Sequence, residues 1–274
     1  MISYPYNLHS HTVLGDGNNT PEEMAAAAYE KGFKTYGFSE HSVLPWYEEW
    51  CMNPYGQSEY IKTVNKLKKE YEGRMEIALG LEMDLNSDYS KNQLEPFDYI
   101  ISSVHSVRGS DGKIHYADSS EEKMLKGIEV FGSAEKYAEA YFENVIAAAK
   151  ADYADILGHF DLLLKYNERE KFIDENDGWY RDLSLSAADE VAKAGIIVEV
   201  NTGAISRKKR SVPYPTAEII KYMNEKGVKF ILSSDTHATD TLDAFFDESL
   251  ELLRGCGVKT LCAYGNGKFF EVKI

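Results

Sequence analysis

Thr20-Pro-Glu-Glu-Met-Ala-Ala-Ala-Ala-Tyr-Glu-Lys-Gly-Phe-Lys-Thr-Tyr-Gly-Phe38 reads as a helix that hands over to a strand. Thr20 can cap the helix, Pro21 suits its first position, and Glu23 completes a capping box ahead of Met24 to Tyr29. Gly32 stops it, because glycine adopts the left-handed conformation at a helix end without strain. Thr35 to Phe38, rich in β-branched and aromatic residues, then reads as a strand.

The same junction of helix, glycine and strand recurs at Ala194-Gly195-Ile196, Lys226-Gly227-Val228 and Cys256-Gly257-Val258. Further strand candidates are Tyr6 to His9, Met75 to Glu82, Tyr99 to His105, Ile156 to His159, Ile196 to Asn201 and Lys229 to Ser234. Strands interleaved with helices in this way predict an α/β fold whose parallel sheet closes as a barrel. Two stretches break the rhythm. Val43 to Tyr60, with Pro45, Trp46, Tyr47, Trp50 and Pro54, reads as a long aromatic loop, either a hydrophobic satellite cluster or a lid over substrate. Ser106 to Ser133 is polar and carries Gly109, Gly112, Gly127 and Gly132. Both leave the sheet at strand C-terminal ends, where α/β barrels build their sites.

A chain of 274 residues and 31.0 kDa, 43% hydrophobic, is expected to form one domain over residues 1–274. Its formal charge of −15 disfavours nucleic acid and anionic membrane as partners. The opening Met1-Ile-Ser-Tyr-Pro-Tyr6 has no basic or apolar leader character, and no later apolar run approaches the roughly 18 residues of a membrane span. A cytoplasmic protein is expected. Cys51, Cys256 and Cys262 form no CxxC pair and fit free thiols in a reducing compartment.

The chemistry lies in the histidines. Leu8-His9-Ser10-His11-Thr12 places two imidazoles on one side of an extended backbone. Asp16 follows on the turn Gly15-Asp16-Gly17, then His41, Glu82, His105 and His159 close successive strands, and Asp235 and His237 close the last in Ser233-Ser234-Asp235-Thr236-His237. A lone strand-end histidine is usually a hydrogen-bonded structural residue. So many at one end of one sheet point instead to a shared metal site. His115 stands apart, inside the polar insertion, and reads as a surface residue.

The run of motifs LHSHT, GDG, SEHS, GLEMD, SSVHS, LGHFD and SSDTH, from Leu8 to His237, resembles the polymerase and histidinol phosphatase (PHP) superfamily, and most closely its monofunctional histidinol-phosphate phosphatases. The resemblance implies a distorted seven-stranded (β/α) TIM-like barrel with a trinuclear centre at the strand C-termini. It further implies a first metal on His9, His11, Glu82 and Asp235; a second sharing Glu82 and adding His105 and His159; and a third on Asp16, His41 and His237. Mixed imidazole and carboxylate ligands suit zinc, iron or manganese.

Three divalent ions outweigh the carboxylates of Asp16, Glu82 and Asp235, so the pocket would attract an anionic substrate despite the acidic exterior. The expected reaction is hydrolysis of a phosphomonoester, most plainly L-histidinol phosphate in histidine biosynthesis. A hydroxide bridging two metals would attack phosphorus, since metals lower the pKa of bound water towards roughly 7. Ser10, Ser106 and Cys51 are not needed as nucleophiles. Glu199 and Asn201 alternate onto one strand face and, with Arg207, are candidate substrate contacts; Arg207 is the candidate phosphate clamp. Lys165 and Arg169 are further candidates, and Glu199 or Asp161 could meet a substrate ammonium. The polar Ser106-Val-Arg-Gly109 departs from the more hydrophobic run usual in these phosphatases, which bears on substrate more than on metal chemistry. The alternatives are another small phosphorylated metabolite, a phosphotyrosyl protein, a nucleotide phosphodiester, or a silent metal-stabilised scaffold.

Overall fold

The computed structural model describes residues 2–46, 48–168 and 172–274; the candidate residues Tyr47 and Arg169 lie outside them. Strands β1 (Tyr6–Asn7), β2 (Thr35–Phe38), β3 (Glu76–Asp84), β4 (Tyr99–Ser103), β7 (Ile156–Leu157), β8 (Ile197–Asn201) and β9 (Phe230–Ser233) form one sheet in that order, each pair parallel. These are the seven strands expected from the sequence, with shifted ends. The sheet curls until β9 meets β1, where a parallel bridge joins Ser10 to Thr236 and the His11 amide donates to the Thr236 carbonyl at 2.8 Å. The result is a nearly closed, distorted barrel.

The barrel interior is a packed core. Leu8, Ala78, Tyr99, Ile101, Ile156, Ile231, Cys262 and Tyr264 fill it. The Tyr99 ring crosses this space and donates its hydroxyl to the carbonyls of Leu8 and Phe38. It fits because two neighbours are glycines: a Cβ on Gly80 would lie 2.1 Å from its Cζ, and one on Gly37 would lie 2.3 Å from its hydroxyl. A hairpin of β10 (Thr260–Gly265) and β11 (Lys268–Lys273) closes the end of the barrel away from the histidines, with Thr35 donating to the Tyr264 carbonyl at 2.6 Å.

Nine helices among the described residues surround the sheet: α1 (Pro21–Lys31), α2 (Pro54–Glu70), α3 (Lys91–Leu94), α4 (Glu121–Phe131), α5 (Ala134–Ala149), α6 (Gly178–Ala194), α7 (Gly203–Ser206), α8 (Ala217–Glu225) and α9 (Phe246–Gly255). α1 starts and stops where its capping signals place it: Thr20 and Glu23 exchange bonds of 3.2 and 2.9 Å, and Gly32 sits at φ 92°. Its buried face, Met24, Ala25 and Ala28, packs into the core outside the sheet. No helix among the described residues is long and apolar enough to cross a membrane.

The two irregular stretches are more ordered than their composition suggests. The aromatic loop ends at Asn53, whose side chain accepts from the amides of Tyr55 and Gly56, so Pro54 to Tyr60 is the first part of α2. Ser106 to Ser133 folds into an antiparallel hairpin of β5 (Ser106–Arg108) and β6 (Ile114–Tyr116), followed by α4. His115, expected at the surface, is only 7% exposed; its Nε2 lies 3.1 Å from Asp111 and its ring packs edge-on to Phe131.

Candidate metal centre

Each chemical side chain enters from the C-terminal edge of the sheet. His9 and His11 follow β1, His41 follows β2, Glu82 lies on β3, His105 follows β4, His159 follows β7, and Asp235 and His237 follow β9. Asp16 joins from the turn after His11 and is the exposed member. Asp235 holds its backbone at φ 48°, an unfavourable conformation for a residue with a Cβ, and its carboxylate reaches the cluster from there.

Glu82 is the hub. Its Oε1 lies 3.0 Å from His159 Nε2 and 3.3 Å from His105 Nε2, while its Oε2 lies 2.7 Å from His41 Nδ1, 3.3 Å from His9 Nε2 and 3.6 Å from His11 Nε2, so five imidazoles face one buried carboxylate. Burial alone would raise the Glu82 carboxyl. The imidazoles of His41, His9 and His105 outweigh it and hold the group well below the usual carboxylate range. The His11 ring lies 4.4 Å from both His41 and His237, and burial, reinforced by those two rings, pushes its pKa down to about 3.

Ligand-type atoms gather in three groups, each within 4.8 Å: His11, Asp16, His41 and His237; His9, His11 and Asp235; and His41, Glu82 and His105. Eight of the nine expected residues fall in these groups, with altered company, and His159 joins them only through Glu82, 3.0 Å away. His11 stands in two groups, and His41, expected beside Asp16 and His237, also reaches Glu82. Many of their atoms lack a partner in the folded chain. His9 Nε2, both nitrogens of His11 and His159 Nδ1 are buried without a hydrogen bond, and His41 Nδ1 and Glu82 Oε2 have only each other, 2.7 Å apart without hydrogen-bond alignment. Buried polar atoms are normally satisfied, so this concentration fits groups that could hold divalent cations.

Behind these atoms lies a layer the sequence assigned differently. Glu199 and Asn201 do face the barrel, as alternation requires, but both are wholly buried. Glu199 Oε1 lies 2.6 Å from His9 Nδ1, and its Oε2 accepts from the His159 amide at 3.1 Å and from Asn201 Nδ2 at 2.9 Å. Asn201 also donates to Asp235 at 3.3 Å. Neither side chain is open to solvent, and both are engaged by the residues around the cluster. Arg207 donates to the Asp235 carboxylate at 2.8 Å and to its carbonyl at 2.9 Å, with its side chain 30% exposed. Lys165 pairs with Asp118 at 3.3 Å. Asp161 is buried under the site, accepts from the Thr216 amide at 3.2 Å, and has its carboxyl pushed up to about 7 by burial.

Asp84 and Glu40 carried no assignment in the sequence, and Trp50 entered it only as part of the aromatic loop. Asp84, two residues beyond Glu82 on the same strand face, lies 3.0 Å from His105 Nδ1. Glu40, raised to about 8 by burial, accepts from the Thr12 amide at 2.8 Å beneath His11. Trp50 lays its ring 4.7 Å from His41 and 5.3 Å from His105, which brings the aromatic loop directly over the cluster. Tyr116, on the β5–β6 hairpin, receives a bond of 2.9 Å from Trp46 and donates to Glu48 at 2.5 Å, tying loop and hairpin together as a rim. Ser10 donates to the Gly37 carbonyl at 2.8 Å, a structural bond. A cavity of about 790 Å³ lies at the opposite barrel end, lined by Lys34, Lys68 and Glu76 among others, and holds none of these groups.

Known proteins resemble this chain in sequence and fold. A Deinococcus radiodurans protein named probable histidinol-phosphatase is 30% identical over 263 residues, covering 92% of this chain and 94% of its own. The histidinol-phosphatase of Bacillus subtilis is 25% identical over 89% of this chain and 97% of its own. The crystal structure of histidinol phosphate phosphatase from Lactococcus lactis, complexed with zinc, L-histidinol and phosphate, shares the fold at a TM-score of 0.71 and 18% identity, over 98% of this chain and 100% of that one. The sequence profile of the PHP domain matches residues 5–203, and with most of its length so matched the chain belongs to the PHP domain family.

Proposed function

We propose that the chain is a metal-dependent phosphomonoesterase that hydrolyses L-histidinol phosphate to L-histidinol and phosphate. The observation that carries the reading is the convergence of five imidazoles on Glu82 with ligand atoms left unpaired. The relatives' named activity supports the substrate. Three divalent ions are part of the proposal: one on His9, His11, Glu82 and Asp235, one on Glu82, His105 and His159 with His41 close by, and one on Asp16, His41 and His237 within reach of His11. Zinc, iron or manganese suits these ligands. Bound there, such ions supply Lewis-acid polarisation of the phosphoryl group.

The chain's own residues do the remaining work. Arg207, partly exposed beside Asp235 and His237, has N–H groups left to offer a phosphate oxygen, and a guanidinium can grip two oxygens at once. Trp50 covers His41 and His105 and keeps water from that side, which strengthens electrostatic interactions beneath it. Glu199 and Asn201 serve the site from behind rather than touching substrate. The three free thiols agree with a reducing, cytoplasmic setting, which belongs to the same proposal.

The test is phosphate release by zinc-reloaded protein from histidinol phosphate, several sugar phosphates, phosphotyrosine and a phosphodiester. Histidinol phosphate should give the highest kcat/KM. Equal turnover of all monoesters would remove the histidinol assignment, and no turnover of any would remove the phosphatase one.

A further inference from the structure

Of the six histidines in the cluster, two have Nδ1 against a carboxylate outside the nine-residue set. His9 Nδ1 lies 2.6 Å from Glu199, and His105 Nδ1 lies 3.0 Å from Asp84. Each then presents its other nitrogen to a different oxygen of Glu82, His9 Nε2 to Oε2 at 3.3 Å and His105 Nε2 to Oε1 at 3.3 Å. By contrast, His159 Nδ1 and His11 Nδ1 have no hydrogen-bond partner. The two carboxylates have no solvent-facing task. Glu199 is 0% exposed with both oxygens occupied, and Asp84 is 3% exposed, accepting from the Asn86 amide at 2.7 Å through its other oxygen.

A buried carboxylate is costly unless its bonds return the cost. A neutral imidazole carries one proton. A carboxylate at Nδ1 draws the proton there and leaves the lone pair on Nε2, aimed at the cluster. Resting on the metal-site reading above, we infer that Glu199 and Asp84 are positioning residues: they fix the tautomer and angle of the two histidines that flank Glu82, and so set cation affinity at the groups sharing Glu82. The group around Asp16 and His237 does not depend on them. Asn201 extends the device by tying Glu199 to Asp235.

The experiment titrates zinc into metal-stripped wild type, Glu199→Gln and Asp84→Asn, against a chromophoric chelator, with bound metal counted by mass spectrometry and the unfolding temperature of each metal-free protein recorded. Wild type should bind zinc tightly. Each variant should lose affinity by roughly 10–100-fold at Glu82-dependent sites while keeping zinc at the Asp16 group. The metal-free unfolding temperatures record any cost of each substitution to the fold; a purely structural role predicts a lower unfolding temperature with unchanged zinc binding. In zinc-loaded wild type, ¹⁵N NMR should find the proton on Nδ1 of His9 and His105, a readout that needs no variant to fold. Unchanged zinc affinity in both variants, or a proton on Nε2 of either ring, would overturn the inference. Wild type that binds no zinc would overturn the metal-site reading and the inference with it.

Discussion

Zinc added to metal-stripped protein should raise its unfolding temperature by an amount set by which carboxylates remain. A site occupied at about 100 times its Kd adds about 2.7 kcal/mol to stability. At about 2.1 cal/mol/K of unfolding entropy per residue, a 274-residue chain gains about 5 °C for each such site, or about 14 °C for three. Glu82 lies within 3.6 Å of ligand nitrogens from His9 and His11 on one oxygen and from His105 and His159 on the other, so Glu82→Gln should remove two sites and leave about 5 °C. Asp16 meets only the group with His11, His41 and His237, so Asp16→Asn should remove one site and leave about 9 °C. Scanning calorimetry with and without zinc measures each shift against the variant's own metal-free state, which cancels any direct effect of the substitution on the fold. Equal shifts in both variants, or no shift in wild type, would refute the placement of Glu82 between two cations.

Other expectations follow from single contacts. Asp161 is protonated in the fold up to about pH 7, against about 3.9 when unfolded, so its contribution is complete below about pH 4 and lost as pH rises through about 7. Asp161→Asn should flatten that dependence and stabilise the protein at pH 8 by up to about 4 kcal/mol in urea unfolding; parallel curves for the two proteins would contradict this. Gly80→Ala drives a methyl into the Tyr99 ring and should cost about 1–3 kcal/mol or more by the same measurement. Thr20→Ala removes one arm of the α1 capping box and should cost about 1 kcal/mol without altering zinc binding.

The barrel was legible because its signals are local. A capping threonine, a stopping glycine and a β-rich tetrad place α1 and β2 without any tertiary knowledge. The hairpin of β10 and β11 was missed although Asn266-Gly267, at φ 54° and 73°, is a strong turn signal between two apolar runs. The β5–β6 hairpin was hidden by its polar, glycine-bearing sequence. In the site, the residue types and their strand ends were legible, because metal chemistry constrains both. Their grouping was not: which oxygen of Glu82 meets which ring depends on barrel curvature, so His41 came to face both Asp16 and Glu82. Glu199 shows the same limit. Alternation gives the direction of its side chain, and depth below the rim, which decides whether it touches substrate or His9, is set only by the packed fold.

The most direct test of the account is an anomalous difference map from crystals of the zinc-loaded protein. It should show three peaks at the C-terminal mouth of the barrel, with His9, His11, His105 and His159 nitrogens at roughly the 2.0–2.1 Å of zinc–imidazole bonds and Glu82 between two peaks. A map with no peak there, or with zinc bound only at surface residues away from Glu82, would contradict it.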